Sequence, residues 1–418
     1  MSALIYDLVV VGSGAAGLAG AIKAGRDGKK VLLLEKLSQI ATKLKATGGG
    51  RCNLSNTLDN TTFMQSFGKN GRFMTTAINK MNHKDLRDFF TSLNLETHIP
   101  DGFRIFPVTH SSTTVINALL DELKRLDIQI LCNEKVEDIS TQDNSVTHIK
   151  TQNNIYMTKN ILLATGGMGY PKMGATGDGF SIVQKLGHKV TKLYPAMMPL
   201  FTQETWQGNC RADTISKVTI KVNIPNNNKL KKLTAKGDLI FTSTGLRGPV
   251  ILDFAREITP FLDVHNEVPI LVNLTHGKNE DEIIKTIKGK SIKEPNKSIL
   301  EILTFLIPKS LAQEFCKICN IDPEINYKNI KGESKNQLIK ILAWTPFTIS
   351  GHDGFNKAMI TRGGISLKEI EPTTMQSKII RGLYFAGEVV DIDGPCGGYN
   401  LQWSFSSGYL AGELLPNL

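Results

Sequence analysis

No apolar run in these 418 residues approaches the ~20 residues a membrane-spanning helix needs. The 41% hydrophobic content suffices for large cores and is too low for a polytopic membrane protein. The first strand-like run begins at Tyr6, which leaves no room for a secretory signal, so a cytoplasmic protein is expected. Cysteine is sparse. The six, Cys52, Cys132, Cys210, Cys316, Cys319 and Cys396, are scattered, which argues against a disulfide framework and for a reducing compartment. Cys316 and Cys319 form a C-x-x-C with no second pair and no histidine cluster nearby. No zinc or other metal is therefore expected, and the pair reads as two small buried residues one helical turn apart. A C-x4-C dithiol is also missing, because the fifth residue after Cys52 is Thr57; disulfide-reductase chemistry is excluded. No internal repeat or low-complexity tract is evident.

The amino end is rich where the rest is spare. The run Leu8 to Val11 reads as a buried strand and opens into Gly12-Ser13-Gly14-Ala15-Ala16-Gly17, a G-x-G-x-x-G. An Ala-rich helical stretch follows to about Gly28, and a second apolar run, Val31 to Leu34, ends at Glu35. In this context Gly12 permits the tight turn, Gly14 lets backbone approach a pyrophosphate, and Gly17 lets helix and strand pack closely. The helix start offers free N–H groups and a positive dipole end to phosphates. Glu35 would accept hydrogen bonds from a ribose diol and would repel a 2′-phosphate, so the site suits FAD or NAD(H) and not NADP(H).

The loop after Glu35 contains Gly48-Gly49-Gly50-Arg51-Cys52-Asn53. Three glycines let backbone N–H groups line a flat ligand at van der Waals distance. Arg51 and Asn53 add polar contacts and Cys52 a thiol. Two helices are expected over 72–93, a hairpin turning at Pro100-Asp101-Gly102, a helix from Thr113 to Leu126, and short strands to Thr151. A third buried strand, Ile161 to Ala164, runs into Thr165-Gly166-Gly167, again bare backbone beside a ligand. From Met197 to Val272 the pattern is β-like, and from Glu280 to Leu342 it is helical and Lys-rich. These segments predict an inserted small barrel with a helical cap over 195–345, between two parts of one nucleotide-binding domain, 1–194 and 346–418. The closing segment holds a strand from Leu383 to Ala386, then Gly387-Glu388, then Gly397-Gly398-Tyr399-Asn400-Leu401-Gln402 at the start of a helix. Glu388 is placed to bond a flavin's ribityl chain. The helix start near Asn400 is placed to stabilise a reduced flavin's negative pyrimidine edge.

Net charge is +10. Residues 1–194 carry +7, 195–345 carry +5 and 346–418 carry −2. A basic surface favours polyanions such as RNA, although lysine, which predominates here, also serves plain solvation. Lys285, Lys288, Lys290, Lys293 and Lys297 form the densest basic cluster of the insert.

The fingerprint with Glu35, the Ala164-Thr165-Gly166 strand end and the "LYFAGE" segment resemble the three FAD segments of two-domain flavoproteins. More specifically, "KLKATGGGRCNLSN" from Lys43, "RIFP" from Arg104, "GDLIFTSTGLRGP" and "DGPCGGYNLQWSFSSGYLAG" resemble the BaiN/RdsA family of NAD(P)/FAD-dependent oxidoreductases, some of whose members are labelled aminoacetone oxidase-like. The resemblance runs over nearly the whole chain. It implies an α/β fold in which a Rossmann-like FAD domain of the glutathione-reductase and fumarate-reductase type is interrupted by a β-barrel and helical domain. It adds Lys36, Lys43, Thr47 and Val136 to the cofactor-facing set. It also implies two chemistries: reduction of a uridine in large-subunit ribosomal RNA to dihydrouridine, or reduction of a conjugated double bond in a steroid-like molecule. The family barrel segment usually reads Phe-Thr-His-x-Gly-Leu-Ser-Gly-Pro. Here Ser243 replaces the histidine and Arg247 the serine, so no role of that histidine carries over.

A second G-x-G-x-x-G is missing, so NADH or NADPH, as reductant, is expected to dock transiently over tightly held FAD. The expected reaction is hydride delivery to an electron-poor carbon of a conjugated C=C, with protonation of its neighbour. Cys52 and Cys396 are the candidate proton donors; His110 and His352 are weaker ones. Arg247, Lys285, Lys288 and Lys290 are candidate RNA contacts. The competing expectations are a small-molecule enone reductase or amine oxidase, and a non-catalytic flavin-binding protein. Oligomeric state is left open.

Overall fold

The computed structural model describes residues 5–224 and 232–414. These form two compact units: one takes the chain up to Pro195 and again from Ala358, the other is Ala196–Lys357.

The first unit is built on a parallel five-stranded sheet in the order Leu383–Phe385, Ile161–Leu163, Leu8–Val11, Val31–Leu34, Gln129–Leu131. Its three central strands are wholly buried, Leu8 to Val10 and Leu162 at 0% exposure, as continuous apolar runs require when both faces of a parallel sheet are covered. Four of the five strands lead at their carboxy ends into candidate ligand segments: Val11 into the glycine fingerprint, Leu34 into Glu35, Leu163 into Thr165, Phe385 into Glu388. A four-stranded sheet stands beside it, with Val136–Gln142, Ser145–Thr151 and Ile155–Thr158 as an antiparallel meander and Ile5–Tyr6 added in parallel.

Helices Ala15–Arg26 and Tyr399–Gly412 cross this sheet together along a seam of small residues. A Cβ on Gly408 would stand 2.1 Å from Ala16 O, one on Gly412 2.4 Å from Gly20 O, and one on Gly20 2.9 Å from Gly408 O. The Ala/Gly richness of the first helix and the two glycines of the last are what let their backbones touch. Helix Ser112–Arg125 is joined to the first helix through Glu122, whose carboxylate, 6% exposed, takes Arg26 Nε at 2.6 Å and Arg125 Nε at 2.7 Å.

The second unit is a closed six-stranded barrel with helices and a core of its own. Its strands are Leu200–Thr202, Gly245–Arg247, Thr234–Phe241, Thr214–Val222, Val268–Asn273 and Thr345–His352. Two expectations are corrected here. Strand Thr345–His352 pairs with Val268–Asn273 and Leu200–Thr202, so the chain leaves this unit near Lys357 rather than at 345; the barrel needs a sixth strand to close, and the end of the Lys-rich tract does not mark that. Within the stretch expected to be β-like, Pro249–His265 is a 17-residue helix. Pro249 occupies its first turn, where a missing N–H costs nothing. Val250, Ile251, Phe254, Ala255, Ile258 and Leu262 are buried at helical spacing.

Candidate cofactor and active site

The fingerprint turn is shaped by three glycines with different tasks. Gly12 has φ +99°, and a Cβ there would meet Ala164 O at 2.6 Å. At Gly17 a Cβ would lie 1.9 Å from Gly12 O, so helix and turn touch. At Gly14, the N-cap of the helix, a Cβ would meet nothing within 4 Å and no side chain caps the helix. Backbone is therefore bare and N–H groups free where a pyrophosphate would lie. Ala15 and Ala16 are buried in the first turn and offer only main chain.

Glu35 is held beside this turn. Its carboxylate accepts from Ser13 N (3.1 Å), Ser13 Oγ and Leu37 N (2.9 Å). Ser13 Oγ also accepts from Ala41 N. Lys36 turns to Asp178 (2.6 Å) and Thr176. Val136 is buried at the head of its strand, two residues after Glu134, whose N–H donates to Glu35 O.

The 48–53 loop separates into packing and open positions. Gly48, Gly49 and Gly50 are all left-handed (φ +58°, +66°, +88°). A Cβ at Gly48 would press on Asn53 N at 3.0 Å, whereas Gly49 and Gly50 face open space. Thr47 is fixed by its hydroxyl to Leu44 O and by its carbonyl to Cys52 N. Arg51 is exposed, its Nε donating to Gly48 O and its guanidinium lying over Phe106. The Asn53 amide, oriented as its neighbours require, donates to Ser55 O (2.9 Å) and accepts from Gly398 N (3.0 Å), so it ties this loop to the start of the last helix.

Cys52 is corrected as a proton donor. It is 0% exposed, and burial pushes its thiol up to about 11, with the Thr47 hydrogen bond opposing. A thiol sealed in the core meets no substrate. Cys396, in contrast, is exposed on the loop before the last helix.

Glu388 gathers four segments. One oxygen accepts from Lys43 Nζ at 2.8 Å and the other from Thr361 N at 2.8 Å. Thr361 Oγ1 in turn accepts from Met168 N at 2.7 Å. A Cβ on Gly167 would strike Thr361 Oγ1 at 2.3 Å and Glu388 Oε1 at 2.7 Å. Gly166 faces open space, and buried Thr165 Oγ1 has no partner. Thr361 was invisible as a site residue in the sequence, where the only signal was its position before Gly363-Gly364. Gly387 is pinned by Ser407 Oγ to its N–H and by Trp403 Nε1 to its carbonyl. Asp391 lies between Glu388 and Cys396 in the sequence; burial holds its carboxyl above the usual range, with nearby Asp393 adding to this and Thr191, Lys69 and Arg362 opposing.

The last helix starts at Gly398 (φ +86°) with no side-chain cap, which leaves the N–H groups of Tyr399, Asn400 and Leu401 without intrahelical acceptors. Asn400 folds back on its loop, accepting from Gly394 N and donating to Gly394 O. Two side chains turn away from the expected role. The Tyr399 ring stacks on Phe63 at 5.2 Å, and Gln402, 1% exposed, donates to Met81 O. Both side chains are committed to these contacts, which leaves their main chain at the helix start. Arg247, Lys285, Lys288 and Lys290 belong to the second unit. Among the described residues no group of His, Cys, Asp and Glu could hold a metal ion.

The residues present fit FAD. Gly14, Gly49, Gly50 and Gly166 leave backbone bare, two helices of twelve and fourteen residues begin uncapped, an unpartnered Thr165 hydroxyl waits beside them, and Glu35 and Glu388 are carboxylate acceptors at the two ends.

The sequence profile of the HI0933-like protein Rossmann domain matches residues 6–414. The chain is 28% identical over 410 residues to the 3-dehydro-bile acid delta(4,6)-reductase of Clostridium scindens, covering 97% of each. It is 28% identical over 404 residues to the ribosomal RNA dihydrouridine synthase of Haemophilus influenzae, covering 96% of each. Among solved structures, the 3-ketosteroid-delta4-(5alpha)-dehydrogenase of Rhodococcus jostii shares the fold at 16% identity and TM-score 0.51, over 98% of this chain and 96% of that one. No helix among the described residues is long and apolar enough to cross a membrane. The chain belongs to the HI0933-like Rossmann family of flavin-dependent oxidoreductases.

Proposed function

We propose that this protein reduces a conjugated C=C bond with FAD, and that its substrate is a uridine of large-subunit ribosomal RNA, converted to dihydrouridine in the cytoplasm. The observation that carries this reading is the end-to-end likeness to a ribosomal RNA dihydrouridine synthase in a chain of net charge +10. FAD supplies hydride transfer when bound. The chain's residues do the rest. Gly14, Gly49, Gly50 and Gly166 would give it room, Glu35 and Glu388 would accept from its ribose and ribityl hydroxyls, and the positive dipole end of helix Tyr399–Gly412 would favour negative charge at its pyrimidine edge. NADH or NADPH serves as transient reductant, since the chain has one dinucleotide fingerprint.

The uracil 5,6 bond suits such a site because the 4-carbonyl withdraws electrons from it. The base must arrive unstacked. Cys396 Sγ, exposed beside the helix start, is the proton donor to C5 in this reading. Arg247, Lys285, Lys288 and Lys290 contact the RNA. A second reading, reduction of a steroid-like enone, is favoured by the equal 28% identity to a bile acid reductase. Anaerobic incubation of the FAD-loaded protein with NADH or NADPH and unmodified large-subunit rRNA, followed by nucleoside mass spectrometry, separates the two. Dihydrouridine at one position supports the RNA reading; rRNA left unmodified while an enone is reduced refutes it.

A further inference from the structure

Helix Glu280–Lys293 buries Ile283 and Ile287 at 0% exposure. Its opposite stripe, at i, i+3, i+4, i+7 and i+8, is Lys285, Lys288, Gly289, Ile292 and Lys293, and every one is exposed. Such a stripe on an ordinary surface helix is polar throughout. This one carries Ile292 at 79% exposure and Gly289, whose missing side chain opens onto empty space. Among the described residues, no carboxylate lies within 4.0 Å of Lys285, Lys288 or Lys293. The acids of the helix, Glu280, Asp281 and Glu282, sit in its first turn, where the dipole favours them and Asn279 closes a capping box.

Beside the stripe stands Phe305, 44% exposed. Lys290 Nζ lies 3.8 Å and Lys297 Nζ 4.9 Å from its ring centroid. Lys297 is shared with Glu294. Unpaired lysines along one line, next to an aromatic ring, form the combination that binds a single strand: cations track the phosphates, and a base stacks on the ring by displacing a lysine ammonium from its face onto a phosphate. Charge complementarity singles out a polyanion.

We infer that the stripe Lys285–Lys288–Lys293 with Phe305 is a docking surface for single-stranded RNA on the second unit. The inference rests on the RNA reading above and adds the surface that holds the strand, with Phe305 as its stacking residue.

The test measures anisotropy of a fluorescein-labelled single-stranded fragment of large-subunit rRNA against salt, for the wild type, K285Q/K288Q/K293Q and F305A, with circular dichroism as the folding control. Each lost phosphate contact flattens the log–log salt slope by about 0.7, so the triple variant's slope falls by about 2. F305A weakens binding about tenfold with its slope unchanged. If the wild type makes dihydrouridine while the triple variant keeps both slope and affinity, the surface assignment fails and the function stands. If the triple variant loses only binding to phosphatidylserine vesicles, the surface is a membrane contact and the inference is overturned. A wild type that neither makes dihydrouridine nor binds RNA removes the function and the surface together.

Discussion

Gly14 and Gly17 stand in one turn, yet a methyl group added at each meets opposite surroundings. Gly17→Ala drives a Cβ to 1.9 Å from Gly12 O, a backbone collision that costs about 3 kcal/mol. Gly14→Ala meets nothing within 4 Å and has an ordinary φ of −74°. It costs the apo fold about 1 kcal/mol or less as a poorer N-cap, while the methyl group occupies pyrophosphate space and weakens FAD binding about 10- to 100-fold. Thermal melts of the apo protein and flavin fluorescence titration should therefore rank the two variants in opposite orders. Thr361 gives a second pair. Thr361→Val removes the acceptor of Met168 N and leaves a donor unmet, a loss of about 1–3 kcal/mol, expected as weaker FAD retention and a shifted spectrum of the bound flavin. Thr361→Ser keeps the hydroxyl and should retain both; equal behaviour of the two variants would refute the clamp. The shape of this turn, with Gly17 packed on Gly12 and Gly14 open, was legible because strand, turn, helix and acid recur at fixed local spacing. Thr361 was not, because its partners Met168 and Glu388 lie in other segments and only folding brings them together.

At the scale of elements, Glu122 links helices Ala15–Arg26 and Ser112–Arg125. Its hydrogen bonds to Arg125 first and Arg26 next depress its pKa to about 2 against burial, which opposes them. A depressed carboxylate stabilises above its unfolded value and loses that contribution as pH falls through the folded one. Glu122→Gln should therefore cost about 2 kcal/mol near neutral pH, and denaturant melts should show the difference from wild type shrinking between the unfolded value of 4.5 and about 2. The cysteines give another element-scale test. Cys52, Cys210, Cys316 and Cys319 are buried, each thiol pushed up to about 11 chiefly by burial. Thiolate is the reactive form, so a chromogenic disulfide reagent should label Cys396 fast in the native protein and these four only after denaturation. Rapid native labelling of Cys316 or Cys319 would contradict their packed-thiol role. The C-x-x-C was legible as structural, since metal would need more ligands. Burial of Cys52 was not, because its neighbours Arg51 and Asn53 gave the segment a polar look. Helix Pro249–His265 was missed for a related reason: its apolar run opens with Val250-Ile251-Leu252 and mimics a strand until the spacing of Phe254, Ile258 and Leu262 is followed.

On the whole-molecule scale, the chain divides its work between a Rossmann unit and a barrel unit with separate cores. The interrupted organisation was readable from the change in character near Pro195. The exact return was not, because barrel closure by Thr345–His352 is a property of strand pairing. The glycine seam of Gly20, Gly408 and Gly412 joins the two ends of the sequence, and local pattern does not report contacts at that separation. The basic excess shared by the two units supports a polyanionic substrate, and the site itself supports reduction at a flavin.

The most direct measurement of that central claim is a single turnover that needs no particular reductant. The FAD-loaded protein is reduced chemically, mixed without oxygen with unmodified large-subunit rRNA, and followed by flavin absorbance and by dihydrouridine counted per flavin. The account predicts that RNA reoxidises the flavin with one dihydrouridine formed for each. A flavin that stays reduced before RNA, and is reoxidised by a steroid enone instead, would contradict it.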